Sequence, residues 1–142
     1  MQVDHQREFP LAEPVIHRSL CVSPKTDAAF MFGLIHSMLH EHDRTRLDLE
    51  FLRDRTASPY LVGPDGLYLR DLETAKPLIW DSIQQLPLPH DTPGVVPALE
   101  GRFVVRHALS VDADDQRHPL QNVEAATGFT LLVEHVAKYS PE

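Results

Sequence analysis

One junction constrains this chain more than any other. A short apolar run, Leu20-Cys21-Val22, leads into Ser23-Pro24-Lys25-Thr26-Asp27-Ala28-Ala29-Phe30, and a nearly continuous apolar stretch extends from Ala28 to Leu39. Residues 19–23 read as a short strand. Residues 26–41 read as a helix that is apolar at 28, 29, 30, 31, 32, 34, 35, 38 and 39. That pattern is wider than a single amphipathic stripe and predicts a helix covered on most sides. Its first amides have no intrahelical acceptor, and the macrodipole adds partial positive charge there. An acid, Asp27, stands at this mouth. In an α/β layout such a strand-to-helix junction is a common place to hold an anion or a nucleotide. The plainer alternative is that Thr26 and Asp27 only cap the helix.

A second helix starts at Asp48 as N-cap, with Leu47 and Leu52 in the positions of a hydrophobic staple. Arg53 and Arg55 fall near its negative end. Pro59 to Gly63 and Leu67 to Arg70 read as strands around the turn Pro64-Asp65-Gly66, which makes a hairpin. Pro77 to Trp80 adds a third short strand. Leu86 to Pro97 carries four prolines and reads as a loop, although loops of that length are uncommon in a compact free-standing domain. Residues 102–111 alternate Phe103, Val105, His107, Leu109 and Val111 on one side, the pattern of a half-buried strand. A last amphipathic helix spans 127–139, with Phe129, Leu132, Val133, Val136 and Tyr139 on one face. The expectation is an α/β fold with short strands, a hairpin and three main helices, in which 1–17 is an irregular arm and 18–142 the partial domain.

Composition removes several classes of function. With 142 residues, 42% of them hydrophobic, the chain can build one ordinary domain. A net charge of −8 argues against nucleic acid, whose phosphates need Lys and Arg. No apolar run approaches the roughly 20 residues of a membrane helix, and Met1 to Glu8 lacks a signal-peptide core. As it stands the chain reads as cytoplasmic. The single cysteine, Cys21, reads as apolar filler, and without a cysteine cluster the chain holds no iron–sulfur centre of its own.

Three other constellations could carry chemistry. His36 and His40 share a helical face with His42 two further on, a spacing that can serve zinc. The HExxH pattern fails because Ser37 follows His36. Asp112, Asp114 and Asp115 lack the glycine and closing glutamate of a calcium loop. Ser23, Asp27 and a histidine lack a nucleophile elbow. Trp80 reads as packing on the sheet.

The order of several segments carries a family resemblance. Pro24-Lys25-Thr26-Asp27-Ala28-Ala29 before a long apolar helix resembles the Pro-Gly-Thr-Asp-Ala-Ala segment of the molybdopterin oxidoreductases, the dimethyl sulfoxide reductase family. Leu47 to Leu52, the Thr56-to-Val62 and Asp65-to-Arg70 hairpin, Gly128 to Val136, and Tyr139 to Glu142 resemble the elements that follow in that family. The likeness covers most of 19–142, with a weak middle. Lys25 departs from the usual Gly and is similar to members related to phenylacetyl-CoA acceptor oxidoreductase.

The resemblance implies part of a Rossmann-like domain of a large catalytic subunit. It implies a molybdenum or tungsten ion held by two molybdopterin guanine dinucleotides, and an iron–sulfur electron-transfer subunit as partner. Carried over by position, Asp27 matches the acid that pairs with a guanine edge, Thr26 the residue beside it, and Pro24 and Lys25 the same turn. The metal's protein ligand lies upstream in that family and has no match here, so no catalytic residue is assigned.

The chain is expected to be an internal fragment, because Ser140-Pro141-Glu142 announces a helix and strand 19–23 has no preceding unit. Such a chain would tend to self-associate, and any export signal of the parent would lie upstream. The alternative expectation is a free-standing, non-catalytic α/β interaction protein.

Overall fold

The computed structural model describes residues 26–108 and 119–139. Three α-helices, α1 (Asp27–His36), α2 (Leu49–Arg55) and α3 (Gly128–Val136), combine with two antiparallel sheets. The strands are β1 (Leu61–Val62), β2 (Leu78–Asp81), β3 (Leu86–Pro89), β4 (Arg102–His107) and β5 (Gln121–Thr127). One sheet has the order β1-β5-β4, and the other is the hairpin β2-β3. All these ladders are antiparallel. The expected strand at 19–23 and the arm at 1–17 lie outside the described residues, as do Asp112, Asp114 and Asp115.

The helices begin where the sequence placed them. The Asp48 carboxylate accepts from the Phe51 amide at 2.8 Å and caps α2, and Leu47 and Leu52 pack into the same cluster. Thr127 caps α3 by accepting from the Thr130 amide at 3.2 Å. Below it the Gly128 and Phe129 amides donate to the carbonyls of Tyr60 and Ser58, both at 2.9 Å. A Cβ on Gly128 would stand 3.3 Å from the Ala57 carbonyl oxygen, so glycine permits this close seat. α1 continues into a π-helical turn, Ser37–Glu41, and α3 into a 3₁₀ turn, Ala137–Tyr139.

The Pro64-Asp65-Gly66 turn forms as read. Gly66 takes φ 79°, and the Asp65 carboxylate accepts from Leu67 N at 3.0 Å. The returning segment pairs with β1 through Leu69 N to Leu61 O at 2.8 Å and reaches β2 through Leu78 N to Leu69 O at 2.9 Å.

Two readings need correction. Leu86 to Pro97 does not begin as a loop, because β3 pairs with β2 over four residues. His90 N donates to Pro77 O, so the even-numbered residues of this strand point their backbone groups at β2. Pro87 and Pro89 therefore turn their missing donors outward, where proline is tolerated in an edge strand. Gln85, at φ 56°, closes the turn before it. The second correction is β5, the central strand of its sheet, which the sequence pattern did not signal. Its buried positions are Val123, Ala125, Ala126 and Thr127, too small to stand out as an alternating apolar pattern.

Two apolar clusters hold the layers. Leu61, Leu69, Leu78, Val105 and Ala125 lie between the strands, with Trp80 and Phe103 packed against them. The two rings stack at 4.5 Å, which places Trp80 on the sheet. Leu39, Leu99, Phe129 and Val136 join α1, the π turn and α3.

Candidate functional site

Of the residues expected at the guanosine site, Pro24 and Lys25 lie outside the described residues. Thr26 is the N-cap of α1, and its carbonyl accepts from Phe30 N at 3.0 Å. No side-chain hydrogen bond closes this cap. Asp27 occupies the first helical position and is exposed, with no hydrogen-bond or ion-pair partner among the described residues. The plain capping role proposed for Asp27 is thus not taken up in the way that Asp48 and Thr127 take it up for α2 and α3. A solvent-facing carboxylate beside helix amides can accept two parallel N–H donors, as a guanine edge or a guanidinium presents them.

α1 itself is inverted. Along α1 and the π turn the inward face carries Phe32, His36 and Leu39, whereas Met31, Leu34 and Met38 are 53%, 45% and 52% exposed. The expectation of a helix covered on most sides is not met within the described residues. The polar inward residue has a specific duty. His36 Nδ1 donates to the Val136 carbonyl at 2.8 Å, and His40 Nε2 donates to the Val133 carbonyl at 3.0 Å, with the rings stacked at 4.8 Å. Both acceptors belong to the last turn of α3, where the Val133 carbonyl also accepts from the Ala137 amide. The histidine spacing that could suit zinc is used here as a two-pronged clamp on a neighbouring helix. Among the described residues no group of three or more His, Cys, Asp or Glu converges as a metal site.

A buried carboxylate escaped the sequence reading. Asp81, 1% exposed, ends β2, and its Oδ1 accepts from the amides of Ile83 at 3.1 Å and Val96 at 3.2 Å. The Ile83 amide above all holds its pKa below the ordinary carboxylate range, against the opposing effect of burial. Asp81 thereby ties the β2-β3 turn to the segment before Pro97. Its signal in the sequence was only an Asp following three apolar residues, which many surface turns share. Farther off, Arg102 donates to Glu134 at 2.7 Å, and that contact raises its pKa. Its neighbour Glu124 lies at 3.6 Å. These groups fix β4 to β5 and α3 and do not converge with Asp27.

No protein-family model matches this chain, and no curated protein matches it.

Proposed function

We propose that the chain is an internal segment of a molybdopterin guanine dinucleotide-dependent oxidoreductase large subunit and supplies part of its guanosine-binding region. The observation that carries the reading is the uncommitted Asp27 carboxylate at the mouth of α1, within the run Pro24-Lys25-Thr26-Asp27-Ala28-Ala29. In this reading Asp27 accepts the N1 and N2 hydrogens of guanine, and Thr26, Lys25 and Pro24 shape the turn that holds the nucleoside. The two dinucleotides would carry the molybdenum or tungsten on which the parent's redox chemistry takes place, with electrons leaving through an iron–sulfur partner. This segment's own residues bind and orient the nucleotide and perform no chemistry. The Rossmann-like assignment belongs to the same proposal.

A second reading, a free-standing α/β interaction protein, is favoured by the exposed apolar face of α1. The genomic sequence on either side of the reading frame separates the two. Homologous coding sequence with an upstream cysteine cluster supports the oxidoreductase. Unrelated flanks with their own start and stop signals overturn it in favour of the interaction protein.

A further inference from the structure

The outward face of α1 has the form of a self-complementary surface. Asp27, Met31, Leu34 and Met38 are spaced by four, three and four residues and lie along one side of the helix. Phe30 flanks them and is 36% exposed. At the far end, Met38 joins His42, Asp43, Arg46 and Leu47 around a hollow of about 180 Å³. The charges there are mostly engaged. Ser37 Oγ donates to Glu41 at 2.6 Å, the Thr45 amide donates to Asp43 at 2.9 Å, and Arg44 pairs with Glu100 at 2.9 Å. Arg46 is the charged side chain at that end without a hydrogen-bonded or ionic partner among the described residues, and Asp27 is its counterpart at the start of the helix.

We infer that this stripe pairs with the same stripe of a second copy of the chain, antiparallel, about a two-fold axis between Leu34 and Ile35. That axis sets Met31 against the second copy's Met38 and Leu34 beside its Leu34. It carries Asp27 to the level of the second copy's His42, beside the free guanidinium of Arg46. Phe30 then lies over the hollow that Met38 and Leu47 line. A two-fold interface must match itself, and an apolar centre with opposite free charges at its two ends does so only when antiparallel. In a parallel pair Asp27 would face Asp27, and Arg46 would face Arg46. A membrane is a poorer occupant, because an interfacial helix uses a Lys- and Arg-rich rim, whereas this stripe is bordered by Asp27, Glu41, Asp43 and one free Arg. The pairing goes beyond the cofactor reading and is an alternative use of Asp27, because it gives to Arg46 of a second copy the carboxylate that the cofactor reading gives to guanine.

Sedimentation equilibrium of the full 142-residue chain tests it. The expected result is a reversible dimer of twice the 16.1 kDa chain mass. Leu34→Glu should weaken it by roughly a hundredfold or more, because a charge would replace apolar burial at the axis. Leu34 faces solvent in the single chain, so far-ultraviolet circular dichroism should be unchanged. Asp27→Arg or Arg46→Asp alone should each weaken the dimer by roughly tenfold, and the two together should restore it. A chain that stays monomeric at about 100 µM, a dimer indifferent to Leu34→Glu, or open-ended association would each overturn the inference. Failure of the pairing leaves the guanine reading to its own test, since no nucleotide enters this measurement.

Discussion

Replacing His36 by Leu isolates the contribution of the histidine clamp between α1 and α3. Leucine has similar bulk and suits the apolar surroundings of Phe32, Leu39 and Val136, so little packing is lost. What disappears is the donor to the Val136 carbonyl at 2.8 Å, in a side chain only 7% exposed. A buried acceptor deprived of its donor costs about 1–3 kcal/mol. At this chain length that lowers Tm by about 3–10 °C. His40 is exposed and its bond to Val133 O is longer, at 3.0 Å, so His40→Ala should cost only about 0.5–1 kcal/mol. Urea unfolding followed by circular dichroism, at concentrations below self-association, measures both through the shift in midpoint at constant m. If His36→Leu proves neutral or stabilising, the buried histidine is not there to satisfy α3, and the clamp argument fails.

Acid should destabilise the fold in part through Asp81. Its folded pKa is depressed by backbone amides, so its stabilisation is complete above the ordinary carboxylate value near 3.8 and is lost as pH falls through the lower folded value. Asp43, depressed by the Thr45 amide, Asp71, depressed by Thr74, and Asp91, depressed by Lys76, act in the same direction. Asp81→Asn should flatten the acid limb of a stability-versus-pH curve, and an unchanged limb would remove Asp81 from the account. Zinc should not bind tightly at neutral pH, because among the described residues no third ligand converges with His36 and His40. Stoichiometric submicromolar binding by calorimetry, lost in His36→Ala, would contradict this.

Local signals with a mechanism could be read directly from the sequence. The Asp48 cap, the Pro64-Asp65-Gly66 turn, the Thr127 start of α3 and the stacking of Trp80 on the sheet each depend on a few adjacent residues or one strong side chain. β5 was not legible because a central strand whose buried positions are Ala, Thr and one Val is specified by the strands on both sides of it. β3 was hidden by Pro87 and Pro89, whose harmlessness depends on a register that only the pairing with β2 sets. At the candidate site Asp27 was legible as an acid at a helix mouth. Its freedom from a capping role was not, because Asp and Thr at a helix start read the same whether or not the cap closes. The histidines were visible as a cluster, but their acceptors lie about a hundred residues along the chain, beyond the reach of any spacing argument.

The proposed pairing of Asp27 with a guanine edge is tested by Asp27→Asn rebuilt at the matching position of a full-length molybdopterin oxidoreductase. Asparagine keeps the size but turns one acceptor oxygen into a donor facing guanine's own donors. Such a mismatch costs about 1–3 kcal/mol, which corresponds to a roughly ten- to hundredfold loss of affinity. In a capping role Asn is about as good as Asp, so stability alone would hardly change. Molybdenum and guanine nucleotide content of the purified enzyme should fall together while the fold remains intact. Unchanged cofactor content with unchanged stability would contradict it and leave Asp27 as an ordinary first-turn acid.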